Sequence, residues 1–385
     1  LRGEYFTTSF YNAGGTVNNF KDLINTQSTT FFNGTAPTAG YNPSSSGAGV
    51  SGGVDSSTLT SGDAFQLVGS LSTALAGGTD DYAYTASEIE SAYDEFADTE
   101  LVNLDFVLMG GSLSTETDTK AKANKVIAIA SARKDCVAFV SPHKSNQIGN
   151  SGILTAFQQK ENTLNFFNGM TSTSYAVFDS GYKYYYDRFN DKYRYIPCNG
   201  DIAGLCVSTS SLLDDWYSPA GVNRGSLRNA IKLAYNPSKA DRDELYQNRI
   251  NPVVIFPGSG VTLFGDKTAL ASPSAFDRIN VRRLFLNLEK RVGDLSKQVL
   301  FEQNDGTTRG SFTSAVNSYL AEVQARRGVT DFLVVCDESN NTPDVIDRNE
   351  FVAELFVKPT RSINYITITF TATKTGVSFS EVVGR

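Results

Sequence analysis

A single histidine, His143, stands in a chain of 385 residues, and four cysteines, Cys136, Cys198, Cys206 and Cys336, are scattered without CxxC spacing. One histidine excludes HExxH zinc sites and Cys2His2 fingers. Cys136, Cys206 and Cys336 each lie in an apolar run (CVAFV, GLCVS, FLVVCD) and read as small buried hydrophobes of a reduced compartment. No run approaches the ~20 apolar residues that cross a bilayer as a helix, so no membrane partner is expected. Dense Lys/Arg blocks are also missing, and the formal net charge is -7. Electrostatic capture of nucleic acid or anionic lipid is therefore not expected, and the acidity reads as solubility.

Catalytic chemistry has equally little to draw on. His143 follows Ser141–Pro142 with no nucleophile signature beside it, so it reads as a loop histidine. Phe256–Gly260 (FPGSG) follows an apolar run, Val253–Phe256, but lacks the GxxxxGK[ST] pattern of a phosphate loop and reads as a turn. Asp337–Glu338 closes the run FLVVC, where α/β enzymes place carboxylates. Its companions for acid–base or divalent-metal work are only Asp344 and Asp347, and Asx turns at Asn340 and Asn341 before Thr342–Pro343 account for the loop. Tyr182–Tyr195 interleaves tyrosines with Lys183, Arg188, Lys192 and Arg194, as a platform for single-stranded nucleic acid would. Asp187 and Asp191 offset part of that charge, and cross-strand aromatic packing is the plainer account. No catalytic residue, cofactor or metal site is expected.

What is present is a mixed pattern of helix and strand periods. The length exceeds what one core usually serves, so two or three domains are expected. Residues 1–84 are rich in Gly, Ser, Thr and Asn and read as loops between short strands. Residues 85–235 read as a mixed α/β domain. Ser87–Phe96 is helical, Leu104–Met109 and Cys136–Val140 are strands, and Thr117–Lys134 between them is a helix with Ala123, Ile127 and Ala130 on one face. That βαβ order predicts parallel strands. Tyr182–Phe189 and Tyr193–Ile196 flank Asn190–Asp191 as a hairpin, and Asp201–Trp216 returns to helix. Residues 236–385 read as an α+β domain. Helical spacing runs through Arg278–Val299 and Ser311–Arg326, and buried strands follow at Phe332–Cys336 and Phe351–Val357. Ile363–Thr371 alternates, with Ile366, Ile368 and Phe370 on one face and Tyr365, Thr367 and Thr369 on the other. The fold class is α+β or mixed α/β, multidomain, closing on an extended strand.

Several segments after about residue 250 carry a resemblance: Asn251–Gly258 (NPVVIFPG), FGDKT at Phe264–Thr268, RINVRRLFLNLEK at Arg278–Lys290, FEQND at Phe301–Asp305, FLVVCDESNN ending at Asn341, and the closing INYITITFTATKTGVSFSE. Together they resemble, in order, the C-terminal region of contractile tail sheath proteins, above all those of T4-like myoviruses. LRGEYFTTSFY, the βαβ segment and Pro197–Gly204 resemble the family more weakly. The resemblance implies a structural subunit stacked in helical rings around a tail tube, in the tail of a virion assembled in host cytoplasm. Its implied partners are neighbouring subunits, the tube protein, and the baseplate and terminator proteins. Residues 363–385 would be a terminal arm whose strand, Ile363 and Tyr365 to Phe370, adds to a neighbour's sheet, with Lys358–Arg361 as a hinge. An ordinary strand of the chain's own sheet fits the same alternation. Family members begin with an arm that is not recognisable at Leu1, so the natural protein is expected to extend upstream. A non-phage contractile injection machine, a nucleotide- or metal-dependent hydrolase using Asp337 and Glu338, and a glycan-binding phage module are the competing readings.

Overall fold

The computed structural model describes residues 84–149 and 152–362, together with the backbone of residues 10–11 and 17–18. The chain divides into two compact units, Leu1–Asp81 and Tyr82–Arg385. Within the first, β1 (Phe10–Tyr11) pairs antiparallel with β2 (Val17–Asn18).

The second unit is built on a parallel sheet. Its strands β3 (Phe106–Leu108), β4 (Val137–Val140) and β5 (Ala176–Asp179) lie side by side, and β9 (Ile250–Asn251) completes the order β3-β4-β5-β9. Every pairing is parallel, as the βαβ spacing predicts. The sheet thus draws strands from both sides of residue 235. The strand alternation divides two cores. Ala138, Val140, Ala176 and Phe178 face one side, where α2 (Glu116–Arg133), α3 (Ala156–Phe167) and α5 (Lys239–Gln247) pack. Val137, Phe139 and Val177 face the other side, where α4 (Asn199–Leu212) packs. Both faces are therefore covered, which is why the strands are short continuous apolar runs. On α2 the predicted stripe Ala123, Ile127 and Ala130 is fully buried.

Local chemistry sets the element ends. Thr85 and Glu88 form a capping box that opens α1 (Ala86–Asp94), and Thr115 accepts from the Asp118 amide to open α2. At the end of α2, Arg133 donates to the carbonyls of Phe96, Asp98 and Val102, tying the loop after α1 to the end of that helix. The aromatic hairpin is present as β6 (Tyr182–Asp187) and β7 (Lys192–Pro197), with Asp191 in the left-handed region at φ 50. Tyr184, Tyr186, Tyr193 and Tyr195 stack on one another at centroid distances of 4.6–5.4 Å, the cross-strand packing expected. A short β8 (Lys232–Leu233) pairs with the inner end of β6. The FPGSG turn joins β10 (Val253–Phe256) to β11 (Gly260–Leu263) as an antiparallel hairpin.

At the carboxyl ends of β4 and β5, where open α/β sheets take ligands, a buried polar cluster fills the position. Ser141 donates to Asp179 at 2.6 Å, the Gly181 amide donates to its other oxygen at 2.9 Å, and Asn199 donates twice to Ser141. Gly181 has φ 151, and a side chain there would run into Gln147, which bonds the Ser180 carbonyl and the Tyr182 amide. Burial pushes the Asp179 carboxyl up to about 8 against the pull of its two donors. Because the folded state then holds this proton longer than the unfolded chain, its contribution is fully present below the unfolded value and falls as pH rises through about 8. Asp179→Asn is expected to flatten that loss. Chemical-denaturation stability of parent and variant compared between pH 5 and 8.5 measures it, and parallel profiles would contradict it.

Candidate interaction surface

Two long helices leave the sheet and carry a third core. Helix α6 (Ile279–Lys297) begins against the parallel sheet and ends against α7 (Gly306–Ala325). Its first turns are unusually buried for a segment with two adjacent arginines: Arg282 and Arg283 are each 6% exposed. Arg283 pairs with Asp215 in the loop after α4, and Asp215 also takes a bond from Ser210. Asn287 bonds the free oxygen of Asp215 at 2.7 Å, and Tyr319 of α7 donates to Asn287 at 2.6 Å. One polar chain thus runs from α4 through α6 to α7. Asp215 leaves the helical line because a carboxylate is unfavourable at a helix C-terminus; α4 ends at Leu212, short of the expected Trp216. Arg282 takes its support from rings, lying 4.2 Å from the Tyr175 centroid and 4.1 Å from that of Phe276, with a 2.6 Å bond to Ser174.

Beyond α7 the chain forms β12 (Val329–Val335), the short α8 (Pro343–Asp347) and β13 (Glu354–Pro359). β12 and β13 pair antiparallel as a sheet of two strands. Phe332, Val334, Leu355 and Val357 turn inward onto Phe312, Val316 and Leu320 of α7. The opposite face carries three cross-strand pairs: Asp331 with Lys358, Leu333 with Phe356, and Val335 with Glu354. Leu333 is 57% and Phe356 56% exposed, an apolar pair open to solvent. Among the described residues no third strand pairs with either outer edge. Two strands on two helices therefore leave two rows of main-chain donors and acceptors on offer.

Lys358–Arg361, expected as a hinge, is held here. Lys358 pairs with Asp331 at 2.8 Å, Pro359 sits in register with Val329, and the Thr360 amide bonds the Gly328 carbonyl. The last strand position tolerates proline because its missing N–H leaves no inner bond unmade. Ser362 then donates to the buried Asp266 at 2.7 Å, which Ser218 and Tyr246 also reach. Ile363, Tyr365, Ile366, Thr367, Ile368, Thr369 and Phe370, the predicted strand, lie outside the described residues.

The candidates for chemistry are dispersed. His143 bonds Ser145 and the Leu113 carbonyl in a buried loop. Asp337 makes the Asx turn of this loop itself, accepting from the Ser339 amide and hydroxyl, which hold its carboxyl below the usual range. Asn340 and Asn341, expected as the Asx turns, instead reach back, Asn340 accepting from the Asp337 amide and Asn341 donating to the Asp337 carbonyl. All four cysteines are buried thiols, and burial pushes Cys136 up to about 12 and Cys206 to about 11, far from a reactive thiolate. Among the described residues no group of three His, Cys, Asp or Glu could hold a metal ion.

The two faces of β12–β13 make a measurable distinction. Leu355→Ala is expected to cost about 2 kcal/mol or more, whereas Phe356→Ala, on the open face, is expected to cost under about 1 kcal/mol. Urea unfolding of the two variants tests it; equal losses would place the core on the wrong face.

Residues 83–269 match the phage tail sheath protein central domain, and residues 271–373 match the phage tail sheath C-terminal domain. The tail sheath protein of Vibrio phage KVP40 is 44% identical over 80% of this chain and 48% of its own length. That of Enterobacteria phage T4 is 43% identical over 80% of this chain and 48% of its own length. The chain thus spans about half the length of these relatives. The helical sheath of the anti-feeding prophage in its contracted state shares the fold, with TM-score 0.58 and 16% identity over 77% of this chain and 76% of that one. Matched from residue 83 through to residue 373, the chain belongs to the phage tail sheath family.

Proposed function

We propose that this protein is the repeating subunit of a contractile phage tail sheath, polymerising in helical rings around the tail tube and contracting to drive the tube through the host envelope. Its role is structural and lies in the virion tail. Its partners are neighbouring copies first, then the tube, baseplate and terminator proteins. The observation that carries the reading is the two-stranded β12–β13 sheet, whose two outer edges no other strand covers among the described residues, in a chain of the sheath family. Residues 363–370 of a neighbour supply the missing strand, with Ile366, Ile368 and Phe370 turned inward in line with Phe332 and Val334.

Magnitudes decide what holds such a strand. Each main-chain bond contributes about 0.5–1.5 kcal/mol net, while ordering each residue costs about 1–2 kcal/mol. Hydrogen bonding alone therefore falls short of the ordering cost. Burial of three apolar side chains at about 1.5–3 kcal/mol each brings one arm close to balance. An attachment near balance in each subunit, repeated through a lattice, holds the array together while single contacts rearrange.

Electron microscopy of the purified full-length protein is expected to show tubes with a ring repeat. Deleting Ile363–Arg385 is expected to abolish them while the helical circular dichroism persists. Tubes formed by the truncated protein at the parent's concentration would refute the arm.

A further inference from the structure

The Phe301–Asp305 segment (FEQND) links α6 to α7, and its two halves behave differently. Asn304 bonds the Glu350 carbonyl and takes a bond from Arg309, and Asp305 caps α7 by accepting from the Thr308 amide. Those two residues serve the fold. Phe301 does not. Its ring is fully exposed, Leu300 beside it is 60% exposed, and its backbone is left-handed at φ 69. Glycine or asparagine takes that conformation more cheaply, and a bulky aromatic there is an outlier. Glu302 has no ion-pair partner among the described residues.

A hollow of matching character lies on another part of the same unit. It measures about 760 Å³ and is bounded by Tyr185, Tyr186 and Phe189 of the aromatic hairpin, and by Leu227, Ile231 and Val261 opposite. Phe189 is 83% and Ile231 57% exposed, so the hollow is open, and its apolar walls are interrupted by Ser226 and Asn229. Arg188 lies on its rim, stacked on the Phe189 ring at 5.0 Å, without a carboxylate partner among the described residues.

The chain's own turn does not reach this hollow. Leu227 and Val261 share an apolar cluster with Ile279, the first residue of α6. From there α6 runs 19 residues, about 28 Å at ~1.5 Å per residue, before the turn is reached. An aromatic knob at the far end of a rigid helix, with an acid beside it, and an aromatic-lined hollow with an unpaired arginine are complementary in shape and charge. We infer that the Leu300–Glu302 turn of one copy seats in the Tyr185–Val261 hollow of a second copy, with Glu302 meeting Arg188. Such a contact joins two different surface patches, so it is heterologous and propagates as a ring or a helix instead of closing a pair. It rests on the sheath reading and adds to it a subunit interface distinct from the terminal strand.

The test uses polymerisation of the full-length protein, read as the concentration at which tubes sediment. Phe301→Gly relieves the left-handed strain, so its melting temperature is expected to equal or exceed the parent's, while the polymerisation concentration rises about ten-fold or more, as loss of a buried aromatic anchor does. Arg188→Glu and Glu302→Lys singly are expected to raise it several-fold, and the charge-swapped double variant to restore it. Phe301→Gly polymerising at the parent's concentration would overturn the contact while leaving the sheath reading intact. A double variant no better than either single one would overturn the assignment of the hollow. A parent that forms no tubes would remove the sheath reading and this inference with it.

Discussion

The burial of Arg282 and Arg283 at the start of α6 is the constraint on which the rest of this unit depends. A helix that begins in the core of the parallel sheet and ends in the core of α7, β12 and β13 belongs to both. Its two arginines are held in different ways, one by Asp215 and the other by the faces of Tyr175 and Phe276. Guanidinium groups suit both tasks, since they fork onto a carboxylate and stack flat on rings. Trp216 reinforces the joint by donating to the Arg326 carbonyl and by packing where a side chain at Gly328 would collide with it. The sheet and the helical pair are therefore joined through shared packing and bonds, a rigid joint of the kind the proposed sheath lattice would require.

Within that body, the β12–β13 sheet stops at two strands among the described residues. Two strands are marginal by themselves and are held here by their inward face on α7. Their free edges are an aggregation hazard for a monomer and an attachment site for a polymer. The proposed function turns the hazard into use, and it places the stored energy in differences between lattice packings. Asp266 fits this scheme as the anchor for the root of the proposed arm: by gathering Ser218, Tyr246 and Ser362, it holds the chain as far as residue 362 against the body.

The legible part of the fold was the part with strong local period. The βαβ unit, the aromatic hairpin and both long helices follow from spacing and composition. Other elements did not, among them β5, α3 and α5. β5 is four residues long and runs almost directly into β6, so AVFD merged with the aromatic stretch that follows. α3 and α5 have mixed faces, yet both open with capping boxes, Thr155 with Gln158 and Ser238 with Asp241, which are readable signals. α7 begins at Gly306, earlier than Ser311, because Asp305 caps it and tertiary packing overrides the low helix preference of Gly306 and Gly310. The interaction surface was less legible still. Whether Phe301 or Leu333 is exposed depends on which neighbours the fold brings near, and no spacing rule carries that. The family resemblance supplied what spacing could not, through the INVRR run whose arginines turn out to be the joint.

The central claim is that a neighbour completes the β12–β13 sheet. A helical reconstruction of the full-length protein's tubes by cryo-electron microscopy, at a resolution that separates strands, tests it most directly. The account predicts continuous density for residues 363–370 of an adjacent subunit, paired along a free edge of that sheet with Ile366, Ile368 and Phe370 facing α7. A sheet that remains two-stranded in the tube, or that is completed by the subunit's own residues 363–370, would contradict it.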